Sequence, residues 1–259
     1  MPLQLAFEVT GSGPAVVILH GLFGSARNWR GMAKALASHY RVFCVDMRNH
    51  GQSPWATTMT YPEMAADVRM LIESEGLDKP VVIGHSMGGK AAMTLALETP
   101  SRVERLIVVD IAPVSYVDRF SVYLEAMREV DTRSLTKRAD AMEQLAQRIQ
   151  DVDLVGFLLQ NLVPRDDHFD WRLNLGAIGS AVPDLSGFPD QLLRRRYGGP
   201  TTLIRGSLSD YVEPADQVVA RKLFPALEVV DIEGAGHWVH ADKPSEFRAA
   251  LGLAPMLAG

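Results

Sequence analysis

Hydrophobic positions along this chain fall into short continuous runs separated by longer stretches of helical periodicity. Val16-Val17-Ile18-Leu19, Val81-Val82-Ile83 and Leu106-Ile107-Val108-Val109 are apolar without alternation. Such runs mark strands covered on both faces, and so a parallel sheet lying between helices. The pattern predicts strands over 4–10, 16–20, 41–46, 81–84, 105–110, 201–205 and 227–232, and helices over 27–38, 61–75, 86–98, 215–223 and 245–251. Strand–helix alternation with right-handed crossovers builds a doubly wound α/β sheet, whose ligand site forms at the carboxyl ends of the strands. The residues to weigh are therefore those just after strands.

Between Ala112 and about Pro200 the alternation stops. Helical patterns occupy 114–130, 134–150, 151–162 and 170–181, and no strand is predicted there. The expected organisation is a core made of 1–113 and 200–259, with a helical cap over 114–199 inserted between two core strands. A cap over the strand ends can exclude water and shape a pocket. No internal repeat or low-complexity tract interrupts this plan.

Composition narrows the function classes. With 259 residues and 47% hydrophobic content the chain is long enough for a large core. Its net charge of −5 gives no general attraction to nucleic acid or to an anionic membrane. The only basic cluster along the chain, Arg194-Arg195-Arg196, reads as a solvated helix end, with a contact to a phosphate-bearing substrate tail as the other reading. Cys44 is the single cysteine and sits in an apolar run, so it reads as a buried inert thiol. The N-terminus lacks the features of a signal peptide and no apolar run approaches the ~18 residues of a membrane span, so no membrane insertion and a cytoplasmic location are expected.

The chemistry is signalled by Val81-Val82-Ile83-Gly84-His85-Ser86-Met87-Gly88-Gly89, an apolar run feeding into Gly-x-Ser-x-Gly and then into a helical pattern. A serine hydroxyl is a poor nucleophile near neutral pH. It must be presented on a sharp turn where a base reaches it from one side and amide donors from another. Ser86 is the candidate nucleophile. Seven histidines compete for the base, and His237 is preferred because it follows the last strand on the flexible loop Gly234-Ala235-Gly236. His240 reads as a surface or capping residue and His85 as a buried, hydrogen-bonded one. Two acids end strands ahead of His237: Asp110 is placed first, Asp210 is kept as the alternative, and Ser209 is expected to assist. His20-Gly21-Leu22-Phe23-Gly24 follows a strand and should turn its backbone across the site. Its Leu22 N–H and that of Met87 are the candidate oxyanion donors, with Phe23 a weaker one. Phe23, Trp171 and Trp238 are candidate walls of an apolar pocket. Neither a phosphate loop nor a dinucleotide fingerprint is present, and His237 with His240 lacks the partners of a zinc site. No cofactor or metal is expected.

Together with Asp46-Met47-Arg48-Asn49-His50-Gly51-Gln52-Ser53 and Gly236-His237, these motifs make the chain resemble the α/β-hydrolase superfamily over nearly its whole length. Within it, Val109-Asp110-Ile111-Ala112-Pro113 and Trp171-Arg172-Leu173-Asn174 are most similar to the small bacterial YbfF-type esterases and their mitochondrial relatives. The resemblance implies hydrolysis of carboxylic esters, or of acyl thioesters, without a cofactor, and the first reading is a carboxylesterase acting on short to medium acyl chains. It also favours Asp110, since similar proteins carry an acid in that segment. A carbon–carbon bond hydrolase or perhydrolase using the same residues is the alternative reaction. A non-enzymatic ligand receptor on this scaffold is the alternative of another class. The expected partner is a small-molecule ester, not nucleic acid.

Overall fold

A computed structural model of the protein describes residues 1–253. The last six residues of the expected 200–259 core segment lie outside the described residues. Along the chain run β1 (Phe7–Thr10), β2 (Ala15–Leu19), α1 (Arg30–Leu36, preceded by a 3-10 turn over Ala26–Trp29), β3 (Arg41–Val45), α2 (Tyr61–Ser74), β4 (Val81–His85), α3 (Met87–Glu98) and β5 (Arg105–Val109). The insertion itself contains α4 (Ser121–Glu129), α5 (Arg138–Ala146), α6 (Val152–Leu159), β6 (Leu162–Pro164), β7 (Phe169–Trp171), α7 (Leu175–Ser180) and α8 (Val182–Ser186). The chain closes with β8 (Thr201–Gly206), α9 (Pro214–Leu223), β9 (Leu227–Ile232), α10 (Val239–Asp242) and α11 (Pro244–Ala250).

The main sheet has the order β1-β3-β2-β4-β5-β8-β9. Only β1 runs antiparallel to its neighbour; β2/β3, β2/β4, β4/β5, β5/β8 and β8/β9 are parallel. Alternate residues of the continuous apolar runs go to opposite faces. Val17, Leu19, Phe43, Val82 and Val108 pack with Met64, Val68 and Ala92 of α2 and α3. Val16, Ile18, Val42, Ile83 and Ile107 pack with Met32, Leu36 and Phe247 on the other side. Each aliphatic side chain fully buried in this way contributes about 1.5–3 kcal/mol. Cys44 belongs to the second face, where burial pushes its thiol up to about 12.

The inserted segment departs from the sequence expectation in one respect: it is not purely helical. Leu162 pairs with Trp171 and Pro164 with Phe169 in an antiparallel hairpin. Three-residue strands are too short to carry a legible period-2 pattern, and here Leu162 closes the run predicted as helix. The segment is fastened to the core by Lys90 of α3. Its buried ammonium donates to the carbonyls of Val114, Ser186 and Gly187, near the two ends of the insertion, and lies over the ring of Tyr116. Burial draws the Lys90 pKa down to about 7, while the three carbonyls satisfy all three protons of the charged form.

Candidate active site

The turn between β4 and α3 is made possible by its glycines. A Cβ on Gly84 would lie 2.2 Å from the Gly88 carbonyl oxygen, and one on Gly88 would lie 2.5 Å from the Leu19 and His20 carbonyl oxygens. Only hydrogen fits at either position, so α3 crosses directly over the sheet. Ser86, between them, takes φ 52° and ψ −120°, a conformation that costs a side-chain-bearing residue about 1–3 kcal/mol. Its N–H still donates to Val109 O, so the sheet fixes the residue at the moment the chain reverses. The Ser86 side chain does not cap α3, and among the described residues its Oγ has no hydrogen-bond partner. It borders a cavity of about 780 Å³ at the carboxyl end of the sheet.

His237 lines the same cavity. Its Nδ1 lies 2.7 Å from Oδ2 of Asp110, which is wholly buried just past β5 at φ 51°. The Asp110 carboxylate also accepts the Gly206 N–H at 3.0 Å and the Ser209 hydroxyl. A Cβ on Gly206 would meet the Gly236 carbonyl oxygen at 2.3 Å, so glycine here lets the histidine loop close on the acid. The imidazole is stacked on Tyr211, 4.0 Å between centroids. Tyr211 is in turn held by the Tyr116 hydroxyl, which donates to its carbonyl. With Nδ1 turned to the carboxylate, Nε2 is the nitrogen left to exchange a proton in the cavity. Asp210, the alternative acid, is instead exposed and forms a two-pronged pair with Arg119 at 2.8 and 2.9 Å. Ser209 reaches the acid and not the imidazole.

The loop after β2 brings Leu22 and Phe23 to the cavity wall. Among the described residues neither the Leu22 nor the Met87 N–H has a protein acceptor, whereas the Phe23 N–H is spent on His50 Nε2 at 3.2 Å. That removes Phe23 as an amide donor. His50 Nδ1 donates to Arg48 O, and the ring of His20 likewise donates from Nδ1 to Gly21 O and accepts the Met47 N–H at Nε2. Both rings are neutral braces of the loop; burial pulls His20 down to about 4 and His50 to about 3. His85 is buried as expected, and its Nε2–H supports the carbonyl of His237 at 2.9 Å. His240 departs from the surface role read from sequence. It stacks on Trp29 at 4.1 Å, borders the cavity, and is pulled down to about 3 by burial and then by His237.

Of the three aromatic residues expected on the pocket wall, Phe23 and Trp238 are there and Trp171 is not. Trp171 is buried within the inserted segment, its indole N–H donating to Met127 O at 3.0 Å. The insertion contributes Phe120, Tyr123 and Phe157 in its place. No spacing in the sequence distinguishes these from ordinary core aromatics. The segment 46–53 is likewise a scaffold. Its Asp46 carboxylate accepts the Ala26 and Gln52 N–H groups, and a Cβ on Gly51 would lie 2.2 Å from that carboxyl. Asn174 docks the insertion onto the same loop through Asn49.

A family model described as alpha/beta hydrolase fold matches residues 14–244. The sn-1-specific diacylglycerol lipase ABHD11 of Mus musculus is 40% identical over 96% of this chain and 84% of its own length. Esterase YbfF of Escherichia coli is 35% identical over 91% of each. Among solved structures, a marine microorganism esterase superposes with a TM-score of 0.93 at 35% identity, covering 96% of this chain and 98% of that one. With the seven-stranded, mostly parallel sheet and the glycine-lined turn after β4, these likenesses establish that the chain belongs to the α/β hydrolase fold family.

Proposed function

We propose that this protein is a serine hydrolase of carboxylic esters, acting through an acyl-enzyme. The observation that carries the reading is the 2.7 Å contact of His237 Nδ1 with the buried Asp110 carboxylate, on the wall of the cavity that Ser86 faces. Relatives named as esterases and as a lipase support an ester as the substrate class. In this reading 1–113 and the described part of 200–259 form the catalytic core, and 114–199 is a cap whose Phe120, Tyr123 and Phe157 give the cavity its apolar side.

Ser86 Oγ attacks the acyl carbon while His237 Nε2 takes its proton, and Asp110 stabilises the imidazolium that forms. The Leu22 and Met87 N–H groups receive the developing oxyanion, each worth about 3 kcal/mol. Collapse breaks the ester C–O bond, and His237 returns the proton to the leaving alcohol. Water, deprotonated by the same imidazole, then releases the acid and restores Ser86. Ser86→Ala, with folding checked by circular dichroism, is expected to lower p-nitrophenyl ester turnover at least about 10³-fold and to abolish fluorophosphonate labelling. Turnover at the wild-type rate in that variant overturns the proposal.

A further inference from the structure

A second cavity, of about 470 Å³, lies beside the first and is lined by polar side chains, four of them guanidinium groups: Arg27, Arg138, Arg165 and Arg172. Their sequence positions are scattered. Arg27 comes from the 3-10 turn before α1, Arg138 from the start of α5, Arg165 from the turn between β6 and β7, and Arg172 from just after β7. Among the described residues none of the four is in an ion pair. Two carboxylates also line the cavity, and both have other partners. Glu8 is held by Arg30 at 2.5 and 2.6 Å, and Asp46 accepts two main-chain N–H groups. Arg138 is anchored to Leu162 O by one nitrogen, which leaves the rest of its fork. Four guanidinium groups against two carboxylates, Asp46 acting on Arg172 and Glu8 on Arg27, leave the cavity with an excess of positive charge, which a multivalent oxyanion meets with forked hydrogen bonds.

The two cavities meet at Gln160, which lines both and accepts a hydrogen bond from Asn28 at 2.8 Å. From this geometry we infer that the arginine cavity receives a phosphate group carried on the distal end of the ester whose scissile bond lies at Ser86. The inference rests on the ester-hydrolase reading above. It narrows the substrate class to phosphate-bearing esters, with the hydrolytic step itself unchanged.

The binding half is tested without turnover, by calorimetric titration of inorganic pyrophosphate into the full-length protein. Saturable binding is expected, weakened about tenfold by Arg165→Gln, further by adding Arg172→Gln, largely kept in Arg165→Lys, and reduced by salt. Arg165 is exposed and its side chain has no partner among the described residues, so its replacement leaves no orphaned group; an unchanged melting temperature checks this. Lack of saturable binding, or binding indifferent to these substitutions, overturns the site. The substrate half is tested by kcat/KM for two p-nitrophenyl esters of equal acyl length, one ending in phosphate and one in methyl. The phosphate-to-methyl ratio is expected to fall about tenfold in Arg165→Gln. An unchanged ratio overturns the substrate assignment, and pyrophosphate binding alongside it identifies a free anion as the ligand. Intact pyrophosphate binding in a protein that hydrolyses neither ester counts against the ester-hydrolase reading instead.

Discussion

The imidazole of His237 is oriented by one acid and one ring, and these two contacts decide how single substitutions act. Asp110→Asn leaves the side chain in place but removes the charge that the imidazolium needs, so kcat is expected to fall about 10³- to 10⁴-fold with KM little changed. Asp210→Asn only breaks an exposed pair with Arg119, a contact worth at most about 1 kcal/mol, and is expected to change kcat less than about threefold. Steady-state kinetics of the two variants on one ester separates them, and comparable losses in both would contradict the arrangement. Ser86 and His237 were legible because each follows a strand with glycine beside it. The acid was legible only as a ranking, Asp110 ahead of Asp210, because both lie just past strands and the direction of each carboxylate is what separates them. Tyr211, stacked on the imidazole, and His85, bracing its carbonyl, carried no signal in the chain.

The elements that hold the site are joined at points where no atom can be added or removed. Gly88→Ala sets a methyl 2.5 Å from the carbonyl oxygens of Leu19, the last residue of β2, and His20, and α3 must shift to admit it. A loss of about 1–3 kcal/mol in stability is expected, with a larger fall in ester turnover because Met87 and Ser86 move with the helix. Denaturant unfolding and kinetics on the same sample check both parts. Lys90→Met removes the donor that three carbonyls of the insertion share, and should cost about 2–4 kcal/mol by leaving those of Val114 and Gly187 unsatisfied, while Ser186 O keeps the Tyr116 N–H. An unaltered unfolding midpoint would show that the insertion is held by packing alone. The parallel strands and their helices were legible from apolar runs and helical periodicity. The β6/β7 hairpin was not, because three residues cannot display a period of two and its pairing is fixed by Thr132 and Asn161 around it.

Over the whole molecule, the buried histidines couple stability to pH. His20 is held at about 4, His50 and His240 at about 3, and His85 is also lowered, each chiefly by burial. Unfolded histidine titrates near 6.5, so below that the unfolded chain binds protons that the folded one refuses. Stability is therefore complete above about pH 6.5 and is lost as pH falls towards 4, by up to about 2 kcal/mol per histidine between pH 6.5 and 5. Urea unfolding at pH 7 and pH 5 measures the loss, and His50→Gln is expected to flatten the slope. The linear sequence by itself determined the sheet, the strand ends and the glycine-bounded turns, because apolar periodicity and steric exclusion act between near neighbours. Tertiary structure alone decided which acid faces His237, which aromatic rings line the cavity and that arginines from three separate stretches of the chain share one pocket. Charge and contact over such separations depend on where the inserted segment comes to rest on the core, and no local pattern encodes that position.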